Sequence, residues 1–138
     1  MVNLQTIRFH KKLLEESDRL CSVKSPYFEM IRDGQKKVEG RINKDKWSRY
    51  QVGDRLMLTR NKESNCVNDF VCVEITEIVY DSNFRDLCFA VGVNNILPDY
   101  IGEHPESVYD SIYTNKDEIR DYGVVGLYFK VVIDHVND

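Results

Sequence analysis

The sequence predicts an α+β domain in which five or six strands form a small barrel and short helices pack at one side. The segment at 70–80, FVCVEITEIVY, is rich in β-branched and aromatic residues and partly alternates, which is typical of a strand. Other strand patterns lie before and after it, separated by short helical patterns, and this order favours a sheet that closes on itself. The chain has 138 residues, of which 42% are hydrophobic and 30% charged, as expected for one globular domain.

The first half of the chain predicts one short helix and two strands. Ser25 is a favoured N-cap and Pro26 a favoured first helical residue, so a helix is expected over 26–33. Gly34 is a natural stop for it. The other elements expected here are strands at 37–42 and 55–59 and a turn at 61–65.

The second half predicts two more helices and the closing strand. A helix capped by Ser82 or Asn83 is expected to end at Gly92. A third helix is expected over 105–112, opened by a proline, and the apolar run at 124–133 predicts the last strand.

Residues 1–22 are predicted to be an N-terminal extension, which leaves 23–138 as the domain. Within the extension, residues 6–9 suggest a short strand. Residues 11–20 carry many charges and three leucines, which suggests a mostly solvated helix.

The cysteine pattern and the apolar runs exclude several classes of protein. None of the four cysteines forms a C-x-x-C pair, so we expect buried thiols and no metal held by protein ligands. No apolar run approaches the roughly 20 residues of a membrane span. The start, MVNLQTIRFHKK, lacks the apolar core of a secretory signal. An intracellular protein without a membrane partner is therefore expected.

The net charge of −4 hides an asymmetry between the two halves of the chain. Residues 1–62 hold 15 Lys/Arg and 8 Asp/Glu, a net charge of +7, whereas residues 63–138 hold 4 and 15, a net charge of −11. A basic half is compatible with nucleic-acid binding. The alternative is that the two halves interleave in space and neutralise each other.

The segment from Gly34 to Arg41 carries the main candidate site. Gly34 lets the chain turn sharply out of the first helix, and Lys36 then stands at the mouth of a strand. Glu39 and Arg41 share one face of that strand, so the three side chains converge if the chain bends after Lys36. Lysine suits a phosphate, arginine suits a phosphate or a base edge, and a carboxylate orients the arginine or moves a proton. The alternative is a surface ion pair of Glu39 and Arg41 with Lys36 solvated.

This run, Gly-x-Lys-x-x-Glu-x-Arg after a short helix, resembles the signature of the ASCH domain family. Further segments resemble that family in the same order: Val52-Gly53-Asp54, Asn95-Ile96-Leu97-Pro98, Val108-Tyr109-Asp110-Ser111-Ile112-Tyr113 and Tyr122-Gly123-Val124-Val125. The resemblance covers about residues 23–133. It implies a PUA-like barrel with a positively lined cleft between barrel and helices, in which RNA binds. Lys37 departs from the pattern, because relatives often carry threonine there.

The expected RNA contacts include aromatic and cationic side chains around the cleft. Tyr27, Tyr50 and Tyr113 are candidates for base stacking, with Tyr113 the best of them, and Thr114 follows Tyr113 in a loop that can reach the cleft. Arg41 and Lys37 are the expected phosphate contacts beside Lys36, while Trp47 and Tyr109 are expected to be structural.

The resemblance implies first a ribonuclease, because some bacterial relatives cleave single-stranded RNA with help from a divalent ion. Lys36 would then stabilise the charge on the phosphorane, and Glu39 would orient Arg41 or accept a proton. A magnesium ion held mostly by phosphates and waters is the one cofactor implied, and no organic cofactor is expected. Two alternatives remain open. One is a non-catalytic RNA-binding module or transcription cofactor. The other is an amidohydrolase that removes the acetyl group from N4-acetylcytidine. Relatives with that activity carry threonine at the position that Glu39 occupies here.

Overall fold

The computed structural model describes residues 14–60 and 69–132 of the chain. The strands are β1 (Leu20–Ser22), β2 (Val38–Ile42), β3 (Arg55–Thr59), β4 (Phe70–Asp81) and β5 (Val124–Val131). The helices are α1 (Tyr27–Arg32), α2 (Phe84–Val91), α3 (Val93–Ile96), α4 (Glu106–Asp110) and α5 (Lys116–Tyr122), with 3₁₀ turns at Glu16–Arg19 and Asp45–Ser48. Within these ranges, every helix falls short of the length and apolar character needed to cross a membrane.

The five strands form one curled sheet in the order β1-β3-β4-β5-β2. All pairs are antiparallel except that of β1 with β3. The long strand β4 pairs with β3 at its start and with β5 beyond, and a register shift interrupts the second pairing between Ile75 and Glu77. Such a bulge bends a strand and increases its twist. The predicted α+β fold is confirmed, and its barrel-like sheet has five strands where five or six were expected.

The two edge strands, β1 and β2, face each other across a seam. In the β2–β5 ladder, the Phe129 N–H donates to the Lys37 carbonyl and the Asn43 N–H donates to the Gly123 carbonyl. Residues that bond to the partner strand alternate with residues that do not in an antiparallel pair. The N–H and C=O of Gly40 therefore point away from β5, towards the seam. Across it, the Ser22 carbonyl accepts from Arg41 Nη2 at 3.0 Å, and the Leu20 carbonyl accepts from Lys46 Nζ at 3.0 Å. Cationic side chains therefore bridge the edges where a backbone ladder would close the barrel.

Two hydrophobic clusters lie on opposite faces of the sheet. One fills the curl, with Tyr50, Leu56 and Leu127 among its fully buried side chains. The other lies between the sheet and the helices and includes Phe84 and Tyr109. β5 starts with four buried residues because it is covered on both faces, which explains its apolar run.

Most predicted elements are confirmed by the structure. The three predicted helices correspond to α1, α2 and α4, and the four predicted strands to β2–β5. Asn83 caps α2, because its side chain accepts a hydrogen bond from the Asp86 N–H. Ser25 does not cap α1, and its hydroxyl donates to Glu29 Oε2 at 2.9 Å instead.

Other elements differ from the sequence-based expectation. β1, α3 and α5 were not predicted, and the helix expected over 11–20 is wrong in its described part, where a 3₁₀ turn leads into β1. Residues 20–22 of the predicted extension therefore belong to the sheet. The strand expected at 6–9, the turn at 61–65 and residue 133 of the last strand lie outside the described residues.

Candidate functional site

Lys36, Glu39 and Arg41 converge at the seam. Gly34, at a φ of +85°, turns the chain from α1 towards β2. Lys36 lies in this connection, two residues before the start of β2. Glu39 Oε2 accepts a hydrogen bond from Arg41 Nε at 2.8 Å, and Glu39 Oε1 lies 3.4 Å from Lys36 Nζ. One carboxylate therefore bridges two cations.

Lys36 is buried, with 3% of its surface exposed, so the alternative of a solvated lysine is wrong. Its ammonium donates to the carbonyls of Val38 and Ile96, at 2.6 and 2.5 Å, and faces Glu39 as its third partner. Burial lowers the pKa of Lys36, and the charge of Glu39 partly opposes this. Because an ammonium has three N–H donors, these partners use its whole capacity. Lys36 thereby joins β2 to α3.

Glu39 is also buried and is held in its ionised form. Burial by itself raises the pKa of Glu39, but the charges of Lys36 and Arg41 more than offset this, so the pKa lies below its ordinary value. A carboxylate with both oxygens on cations is a weak proton acceptor. The geometry favours a role for Glu39 in orienting Arg41.

The guanidinium of Arg41 is fixed by three different contacts. Nε donates to Glu39, Nη2 donates to the Ser22 carbonyl, and Cζ lies 4.2 Å from the ring centroid of Trp47. The ring face adds a cation–π attraction. No described residue accepts a hydrogen bond from Nη1. Arg41 is therefore pre-positioned with donor capacity to spare.

A cavity of about 280 Å³ opens in the seam beside this guanidinium, and we call it the seam cavity. Its walls are the chain from Ser22 to Lys24, residues Glu39 to Arg41 of β2, and Tyr109, Ile112 and Tyr113 around the end of α4. A smaller hollow of about 180 Å³ shares Arg41 and Tyr113 with it. The lining therefore combines cationic, aromatic and backbone groups.

The helical wall of the seam cavity is aromatic. The rings of Tyr109 and Tyr113 lie nearly parallel to that of Phe84, with centroid distances of 4.1 and 5.3 Å. Burial raises the pKa of Tyr113, and Arg41 partly opposes the rise, so its phenol is neutral at physiological pH. Tyr109 is buried, as its predicted structural role requires.

The other predicted RNA contacts lie outside the lining of the seam cavity. The Tyr27 ring centroid is 5.4 Å from Lys36 Nζ, so this tyrosine covers the buried lysine. Lys37 is exposed beside a separate hollow, together with Arg32 and Lys130. Thr114 is exposed next to Tyr113. Tyr50 is buried in the core, so its prediction as a stacking residue is wrong.

Comparison with known proteins adds independent information on the family. The model of the ASCH domain family matches residues 21–132 of the sequence. The chain belongs to the ASCH domain family. Because this family is generally RNA-binding, its membership supports RNA as the class of ligand.

The fold of this ASCH domain is similar to that of solved structures. It aligns with the hypothetical protein PH0355 at a TM-score of 0.71 and 24% identity, covering 82% of this chain and 97% of the other. Protein PF0455 from Pyrococcus furiosus aligns at 0.65 and 22%, covering 83% and 97%. A mutant of the ZmASCH protein from Zymomonas mobilis aligns at 0.50 and 15%, covering 86% and 70%. No curated protein matches the sequence.

Several groups of the ASCH site were missed by the sequence analysis. Ser22 and Lys24 line the seam cavity because β1 is an edge of the sheet, and β1 itself was not predicted. Trp47 was expected to be structural, yet its ring supports Arg41. The sequence signal that could have indicated this contact is the position of Trp47 six residues after Arg41, within a cluster of cations.

The described residues provide no cage of protein ligands for a magnesium ion. In 14–60 and 69–132, no three His, Cys, Asp or Glu side chains come close enough to hold a metal ion. The buried carboxylate of the site, Glu39, has both oxygens engaged by cations. A magnesium ion held mostly by RNA phosphates and waters, as the family resemblance implies, stays a prediction.

Proposed function

We propose that this ASCH domain binds single-stranded RNA and takes one nucleotide of the strand into the seam cavity. The observation that carries this is the clamped guanidinium of Arg41, whose Nη1 has no acceptor among the described residues, at a cavity shared with Tyr113. Arginine donors suit phosphate oxygens and base edges, and an aromatic ring offers a stacking surface. Lys24, exposed at the rim, adds a second cation.

The shape of the site favours a single strand over a duplex. In an RNA duplex the bases are stacked and paired, whereas bases of single strands can be splayed out into a protein pocket. The seam cavity lies between two edge strands and has room for about one nucleoside. Gly40 adds a backbone N–H and C=O that face the seam and can pair with a base edge.

The contacts of Lys36 favour binding over cleavage. A ribonuclease of the predicted kind needs Lys36 to touch the scissile phosphate, but its three donors are used by Val38, Ile96 and Glu39. Cleavage through Lys36 and deacetylation of N4-acetylcytidine stay predictions of the family resemblance, and we rank both below binding.

Fluorescence anisotropy with a labelled oligouridylate tests the proposal. We expect binding that weakens as salt rises, because phosphate contacts release counterions, and a weaker signal with the matching duplex. Arg41→Ala and Tyr113→Ala should each reduce the affinity for the single strand. For Tyr113→Ala, which removes a stacking contact, the loss should be about 5- to 100-fold. Arg55→Ala and Tyr80→Ala are matched controls, since both side chains are exposed on other strands. Equal losses in variants and controls, or no binding at low salt, would refute it.

The same preparations decide between binding and catalysis. Single-turnover reactions with labelled RNA and magnesium are run with the wild type, Lys36→Ala, Lys37→Ala and the double variant. Intact RNA in every reaction supports a binding module. Cleavage by the wild type that is lost in a Lys36→Ala protein still folded by circular dichroism supports the ribonuclease instead, and release of acetate from N4-acetylcytidine supports the amidohydrolase.

A further inference from the structure

A second hollow, of about 300 Å³, lies at the start of β2, where α1 ends and β5 approaches its end. Arg32, Lys37 and Lys130 line it together with one acidic residue, Asp33, and Ile31 and the half-buried Phe129 form its apolar side. We call it the basic hollow. It is distinct from the seam cavity, since the two linings share no residue.

We propose that the basic hollow is a second contact site for the same RNA strand, in which Phe129 stacks a base and the three cations bind neighbouring phosphates. An aromatic platform beside a row of cations is the usual way in which proteins hold a single strand. The inference rests on the proposed function and extends it, because it assigns a ligand class to a surface away from the seam cavity.

The cations of the basic hollow are available to a phosphate. Lys37 makes no ion pair with any described residue, and its side chain is exposed. Arg32 pairs with its neighbour Asp33 at 3.3 Å, but both side chains are largely exposed. Lys130 lies 3.7 Å from Glu74, which also pairs with Arg55. In both pairs the cation is exposed, and ion pairs at a surface contribute little, so a phosphate can compete for these cations.

The strand β2 connects the two sites. Lys37 and Arg41 lie four residues apart and therefore on the same face of an extended chain. At about 3.3 Å per residue, this spacing is about 13 Å. A few successive nucleotides of an extended RNA strand can span such a distance, so one strand can occupy both sites.

The test compares oligouridylates of about 4 and about 16 nucleotides, measured by anisotropy over a range of salt concentrations. The variant is Arg32→Ala/Lys37→Ala/Lys130→Ala. Its matched control, Arg85→Ala/Lys116→Ala/Arg120→Ala, removes the same charge from exposed side chains away from the hollow. Phe129→Leu tests stacking separately, because leucine keeps the apolar packing without the ring.

We expect the hollow variant to bind the long RNA more weakly and to lower the slope of log affinity against log salt by about 2, at about 0.7 per lost phosphate contact. The control should keep the wild-type slope for the long RNA, and Phe129→Leu should lose about 5- to 100-fold in affinity for it. An unchanged slope in the hollow variant, with Arg41→Ala still weakening binding, overturns this inference and leaves the proposed function standing. An equal loss in the control overturns it as well, and absence of any binding by the wild type overturns both.

Discussion

Lys36 is a cation that the fold withdraws from solvent, and the sequence predicts its partner Glu39 but not its burial. The spacing of the motif is enough to bring Lys36, Glu39 and Arg41 together. The burial depends on the Ile96 carbonyl, which is 60 residues away in sequence and belongs to an unpredicted helix. Long-range contacts of this kind leave no local pattern, so the role of Lys36 as a support emerges only from the structure.

Because Lys36 is buried and Lys37 is exposed, we expect their substitution to change the free energy of unfolding by very different amounts. Lys36→Met should lower the free energy of unfolding by about 3–5 kcal/mol, because it leaves the buried Glu39 with one of its two cations. Lys37→Met, at an exposed position, should change it by less than about 0.5 kcal/mol. Urea unfolding of both variants measures this, and similar midpoints for the two would contradict the assignment.

The ionised state of Glu39 predicts an acid-dependent loss of stability. Its pKa is lower in the folded protein than the ordinary value of 4.5, so the unfolded chain binds more protons between these two values. The stabilisation is complete above pH 4.5 and disappears as the pH falls through the folded-state pKa.

Comparison with Glu39→Gln isolates this contribution, since other carboxylates with lowered pKa, Glu29 and Glu106, titrate in both proteins. The stability advantage of the wild type over the variant should shrink as urea unfolding is repeated from neutral pH down to about pH 3. A difference that stays constant over this range would show that Glu39 is not ionised by its partners.

Among the strands and helices, those with a clear local sequence pattern were predictable, whereas the edge strand β1 was not. β2–β5 and α2 carry alternation, apolar runs or caps, so their positions follow from local sequence. β1 has three residues and, among the described strands, pairs with β3 alone, and its sequence Leu-Cys-Ser is too short for any period. The seam cavity depends on this strand, and the cavity was therefore predictable on its β2 side alone.

The packing of β2 against α4 gives a prediction at this scale. A Cβ on Gly40 would lie 3.0 Å from both Tyr109 Oη and Ile96 Cδ1, and Tyr109 is held by its stacking on Phe84. Gly40→Ala should therefore lower the free energy of unfolding by about 1–2 kcal/mol through overpacking. Adding Tyr109→Phe removes one of the two contacts and should restore part of the loss. Thermal unfolding of both proteins checks this, and equal stability of Gly40→Ala and wild type would contradict the predicted clash.

For the whole molecule, the basic and acidic halves of the sequence interleave. β2 from the first half pairs with β5 from the second, and ion pairs such as Lys44–Glu118 and Arg55–Glu74 cross between the halves. The charge asymmetry in sequence is therefore not an asymmetry between two sides of the fold. Binding of an anionic strand depends instead on local groups of cations at the seam cavity and the basic hollow.

The most direct test of RNA binding at the seam is to map where the strand lies. An oligonucleotide containing 4-thiouridine is crosslinked to the protein by light, and mass spectrometry identifies the modified residues. We predict crosslinks within 22–24, within 39–41 or at Tyr113, which together line the seam cavity, and their loss in Arg41→Ala. Crosslinks confined to the outer face of β3 and β4, or unchanged in Arg41→Ala, would contradict RNA binding in the seam cavity.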